Sequence, residues 1–101
     1  MIRTQIRVKV HFKPSDSINR SGFFDLSSGR YRPHFVVGSG EYLGICFMQA
    51  SIPKALPGDT VTALISLVYP GVDYSPLTLG AAFSVFEGEE EVATGEVLND
   101  K

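Results

Sequence analysis

The residues whose type and spacing could do chemistry are mostly basic. Arg3, Arg7, Lys9, His11 and Lys13 all fall on odd positions of one segment. In an extended strand the odd positions share a face, so these side chains form a row that could follow a phosphate backbone or meet another partner. The competing reading is a solvated strand face whose cations pair partly with Glu91 and Glu96 on a neighbouring strand. The segment's aromatic residue, Phe12, falls on the opposite face, so the row lacks the base-stacking platform of single-strand binders. A second basic set, Arg20, Arg30 and Arg32, lies in the polar stretch 14–33. Loops around a rigid scaffold often carry function; equally, Arg32 and Tyr31 could pack this stretch against the rest. The acidic run Glu89-Glu90-Glu91 reads either as a solvated turn or as a surface for a basic partner, in the extreme a mimic of nucleic acid.

Catalytic and metal chemistry find little support. His11 and His34 stand 23 residues apart with a single cysteine, Cys46, and that is no zinc spacing. No Gly-x-Ser-x-Gly elbow occurs, and spacing identifies no Ser or Cys partner for His34. Gly38-Ser39-Gly40 is followed by Glu41, not by the Lys a phosphate cradle needs. The expectation is therefore no enzyme, no nucleotide, no metal and no cofactor. Cys46 sits in the apolar run Leu43–Met48 and reads as a buried small hydrophobe. One cysteine forms no internal disulfide, which fits a reducing compartment and a cytoplasmic location.

The elements that must position these residues are strands. Residues 2–13 alternate, with Ile2, Thr4, Ile6, Val8, Val10 and Phe12 on one face, the pattern of a half-buried strand. Pro14-Ser15-Asp16-Ser17 ends it, and residues 14–33 read as a long loop into which Phe23-Phe24 tucks as a plug. Further strands are expected at 34–37, 42–49, 60–69, 77–87 and 91–98. Leu43, Ile45 and Phe47 face inward in one, Val61, Ala63, Ile65 and Leu67 in the next, and Leu79, Ala81, Phe83 and Val85 in the third. Pro57-Gly58-Asp59 predicts a type II turn, with Gly at the position that needs φ > 0. Gly88-Glu89-Glu90 is the expected hairpin tip. No window of helical period stands out. Six strands punctuated by turns predict an all-β barrel or sandwich.

The 101 residues fit one domain spanning 1–101. No apolar run approaches the roughly 20 residues of a membrane helix, and Met1–Gln5 lacks the apolar region of a signal peptide. Residues 1–34 carry seven Lys/Arg against two acids, and residues 35–101 carry two against nine. Such asymmetry marks either a charged partner or two charged strands that pair within the fold.

The punctuation carries a resemblance. Phe23-Phe24 is followed by Gly29-Arg30-Tyr31-Arg32-Pro33-His34-Phe35, then Gly44, then Leu56-Pro57-Gly58-Asp59-Thr60-Val61. Phe83-Ser84-Val85-Phe86-Glu87-Gly88 and Val92-Ala93-Thr94-Gly95-Glu96-Val97 close the series. In order and spacing this resembles the C-terminal barrel domain of elongation factor Tu, over about residues 3–98. That family shows a Phe-Phe pair, a Gly-Tyr-Arg-Pro-Gln-Phe segment, a Met-Pro-Gly-Asp turn and a Phe-x-Ile-Arg-Glu-Gly-Gly-Arg close. The resemblance implies a six-stranded antiparallel Greek-key barrel. It also implies a surface that helps hold the stem of aminoacyl-tRNA and packs against a GTPase domain absent here. Two departures concern the tRNA surface: Asn19-Arg20 stands where the family carries Arg-His, and Glu90 stands where it carries Arg. Glu89, Glu90 and Glu91 would repel phosphate.

The function expected from this is a stand-alone, non-enzymatic protein-binding module. It could be an immunity or decoy factor copying a surface that a partner reads on elongation factor Tu. Its candidate contact residues are Arg3, Arg7, Lys9, His11, Lys13, Arg20, Arg30 and Arg32. The alternative is an RNA- or tRNA-binding accessory of translation. No membrane or nucleotide partner is expected, and the oligomeric state is open between a monomer and a dimer paired through sheet edges.

Overall fold

The alternation of the first segment produces the strand around which the others are arranged. β1 (Gln5–Phe12) buries Ile6, Val8, Val10 and Phe12 and turns Gln5, Arg7, Lys9 and His11 outward. The computed structural model describes residues 4–18 and 22–99. In chain order the remaining strands are β2 (Phe24–Asp25), β3 (His34–Val36), β4 (Leu43–Gly44) and β5 (Cys46–Ala50). They are followed by β6 (Lys54–Ala55), β7 (Thr60–Ser66), β8 (Ala82–Glu87) and β9 (Glu90–Asn99). Among the described residues the only helical element is a 3-10 turn at Ser15–Ser17.

Seven strands form one antiparallel sheet in the order β4-β3-β8-β9-β1-β7-β5, and β2 pairs with β6 apart from it. The sheet curls into a half-barrel. Its two terminal strands, β4 and β5, are neighbours in the chain and only Ile45 separates them. His34 pairs with Gly44 and Phe35 with Leu43. The ladder then runs on as Ile45 N–H donates to the Pro33 carbonyl and Phe47 N–H to the Tyr31 carbonyl, each at 3.1 Å.

Phenylalanines fill the space the curl encloses. Phe35 stacks on Phe83 at 3.9 Å between ring centroids, and Phe12 on Phe24 at 4.1 Å. Each fully buried Phe contributes about 1.5–3 kcal/mol relative to exposure. The Leu56–Asp59 turn closes the end of β1. Asp59 N–H donates to the Leu56 carbonyl at 3.0 Å, and Gly58 takes φ +92°, as the type II expectation required. Gly88, at φ +62°, opens a two-residue loop between Glu87 and Glu90, the arrangement of a type II′ hairpin.

Four expectations are corrected. The stretch 14–33 is not all loop, because it contains the 3-10 turn and β2. Only Phe24 plugs the core; Phe23 is 44% exposed. The strand expected at 77–87 begins at Ala82. Before it, Ala81 N–H closes a turn on the Thr78 carbonyl and Gly80 takes φ +83°, which resets the side-chain alternation. Leu77 is buried and Leu79 is 72% exposed instead of inward. The strand expected at 42–49 is broken at Ile45, and the side-chain-free Gly44 beside it carries the Tyr69 ring against its backbone.

Candidate functional site

The outward side chains of β1 meet their neighbours in transverse rows, because register places them opposite one another. Lys9 lies between Glu96 of β9 and Thr62 of β7, with Ala82 of β8 beyond Glu96. His11 lies between Thr94 and Thr60, with Ser84 beyond Thr94. The His11 Nδ1 and Thr60 Oγ1 are hydrogen-bonded at 2.6 Å. These rows line an open groove of about 520 Å³, walled on one side by Val36 and Gly38.

The structure brings together only part of the expected basic row. Lys9 and His11 share the groove, while Arg7 is exposed further along, opposite Leu64. Lys13 Nζ donates to Glu91 Oε1 at 3.2 Å. The Ser84 hydroxyl, and after it Lys13, hold the Glu91 carboxyl below its ordinary range. Arg30 and Arg32 are exposed on either side of Tyr31, whose ring packs near Phe24 and Phe47 and whose hydroxyl donates to Glu87. Tyr31, not Arg32, thus ties the loop down. Arg3 and Arg20 lie outside the described residues. In the acidic run, Glu89 is exposed, Glu90 is half-buried and Glu91 turns toward Lys13.

Two aromatic surfaces were not anticipated. In the small sheet, Phe24 and Ala55 pair with both side chains buried. One step further along each strand, Phe23 and Leu56 are 44% and 55% exposed, with Ile52 close in sequence at 37%. Lys54 Nζ stands 5.2 Å from the Phe23 ring centroid, within reach of a cation–π contact. Asp25, opposite Lys54, is held below its ordinary range chiefly by the Ser28 hydroxyl and then by the Ser27 and Ser28 amides. The signal lay in the sequence: neighbours in a strand face opposite ways, so Phe23 and Phe24 could not both enter the core. The second surface is the outer face of β3 and β8, where the Tyr42 ring lies 5.5 Å from His34 and 5.2 Å from Phe86.

Among the described residues no three His, Cys, Asp or Glu side chains gather as metal ligands. Cys46 is buried, as expected, with its Sγ 3.4 Å from the Gly29 carbonyl oxygen. No helix among the described residues is long and apolar enough to cross a membrane. No protein-family model matches the chain.

Proposed function

We propose that the chain is a non-enzymatic protein-binding module built on a barrel like the C-terminal domain of elongation factor Tu. Counting β4 and β5 as one strand bent at Ile45 makes six strands in the curled sheet, the number the resemblance implies. The hydrogen bonds of Ile45 and Phe47 to the 31–33 segment support closure of that barrel in a Greek-key order. They also occupy backbone groups an edge-paired dimer would use, which favours the monomer.

The observation that carries the protein-binding reading is the apolar surface at Phe23 and Leu56. Large apolar side chains exposed at the end of a short two-stranded sheet, beside the cation of Lys54, suit a protein contact. The RNA reading draws on the basic face of β1, and that face is diluted: Lys13 is paired with Glu91, and Lys9 faces Glu96. A decoy or immunity role follows if the partner ordinarily reads this surface on elongation factor Tu, a step that rests on analogy of fold.

The test is capture of partners on the immobilised chain, with and without RNase, for the native sequence and two double variants. A protein retained after RNase, lost from Phe23→Ser/Leu56→Ser and kept by Arg7→Gln/Lys9→Gln is the expected result. Retention that disappears with RNase and with the Arg7/Lys9 variant would replace this reading by the RNA one.

A further inference from the structure

The groove over β8, β9 and β1 holds two opposite charges that do not satisfy each other. Lys9 and Glu96 stand opposite on neighbouring strands, and both are exposed. Among the described residues neither side chain makes a hydrogen bond or ion pair. The contrast lies just past the end of β1, where Lys13 and Glu91 of β9 close to 3.2 Å. Keeping Lys9 and Glu96 apart costs little, because an exposed pair is worth only about 0–1 kcal/mol. Around them the groove offers the hydroxyl of Thr94, beside those of Thr60 and Ser84 that already hold His11 and Glu91, and small or apolar walls at Ala82 and Val36. Its volume of about 520 Å³ is that of a small-molecule site.

The geometry points to a binding site for a free α-amino acid in this groove. The ligand's carboxylate is taken by the Lys9 ammonium with help from the Thr94 hydroxyl. Its ammonium is taken by the Glu96 carboxylate, and its side chain lies along Ala82 and Val36. Opposite positions on paired strands are about 5 Å apart, so the two side-chain ends can converge on charges carried by one small molecule. A simple anion gains from Lys9 and is repelled by Glu96, and a simple cation meets the reverse. A chain terminus brings only one of the two charges, so the free zwitterion fits best. The site is open and solvated, which places binding in the weak, millimolar range. Its lining includes neither Phe23 nor Leu56, and it does not depend on the protein-binding reading.

The experiment is amide-resolved NMR titration of the full chain with free L-amino acids, one at a time, and with acetate and methylammonium as single-charge controls. The expected result is saturable shifts at Lys9, Thr94 and Glu96 with at least one amino acid, about tenfold tighter than with either control. Lys9→Gln and Glu96→Gln each weaken it about tenfold. The exchanged variant Lys9→Glu/Glu96→Lys restores binding, because a zwitterion can turn around. All three variants alter exposed side chains, and their spectra report directly that the fold is kept. No saturable shift with any amino acid, equal binding of acetate or methylammonium, or indifference to both single variants would overturn the proposal.

Discussion

Gly95 illustrates how a single residue is constrained by what surrounds it. A methyl group there would stand 2.3 Å from the Lys9 carbonyl oxygen and 2.7 Å from the Phe83 ring. The carbonyl belongs to the β1–β9 ladder and the ring is stacked on Phe35, so neither can withdraw. Gly95→Ala is expected to lower stability by about 1–3 kcal/mol, read as a shift in the urea midpoint. Gly44→Ala meets the Tyr69 ring at 2.6 Å, but that ring is 42% exposed and can swing out. Its cost should fall at or below the bottom of the same range, and equal losses at both sites would contradict this account. Glu91 sets a pH dependence. Its carboxyl is held below the ordinary value of 4.5 by Ser84 and Lys13, so the stability it contributes is present above that value and is lost as pH falls through the lower folded value. Glu91→Gln should flatten that acid limb, measured as urea midpoints in buffers descending from neutral to acid. An unchanged limb would mean that other carboxylates set it.

At the scale of the element, alternation was readable wherever a strand kept one phase. The four inward residues of β1 and Val61, Ala63 and Ile65 of β7 were all placed correctly, because each strand keeps apolar residues on every second position. The phase was misread ahead of β8, where Gly80 at φ +83° turns the chain between Leu77 and Phe83. Apolar spacing alone does not reveal such a turn. The candidate site was legible to a similar depth. Its basic row was visible, but the partners that neutralise Lys13 and face Lys9 depend on register between distant segments. The short β2–β6 sheet carried too few residues to show a period, so only the opposed directions of Phe23 and Phe24 could have told that one of them stays exposed. Phe24 of that sheet and Phe23 just before it should separate cleanly on substitution. Phe24→Ala empties a buried site stacked on Phe12, at a cost of about 3–5 kcal/mol. Phe23→Ala removes a half-exposed ring, and should leave the urea midpoint nearly unchanged while weakening partner capture. A large loss of stability from Phe23→Ala would show that its ring belongs to the packing and not to a contact surface.

Charge pairing and the hydrogen bonds that tie the ends of the sheet act on the whole molecule together. The basic first third enters the sheet as β1, and the acidic remainder supplies Glu91 and Glu96 beside it on β9. The charge asymmetry of the sequence is therefore partly consumed within the fold, which is why a chain with so basic a start need not bind nucleic acid. The hydrogen bonds at residues 31–33 have an equally direct consequence. Without partners in the 31–33 segment, the amides of Ile45 and Phe47 would sit on a sheet edge in water and exchange with solvent as a loop does. Here they donate to Pro33 and Tyr31 across the seam, and Tyr31 is anchored by its hydroxyl on Glu87. Opening the seam then requires releasing the loop and uncovering Phe47, Phe35 and Phe24, all fully buried. Hydrogen exchange in the native state should accordingly protect Ile45 and Phe47 nearly as well as Val8 and Val10 at the centre of β1, because all four open only with the core. Tyr31→Phe removes the anchor and leaves the ring, so it should speed exchange at Ile45 and Phe47 while leaving Val8 and Val10 slow. Rapid exchange at the seam in the native chain would mean that the sheet has a free edge and that the barrel is open along residues 31–33.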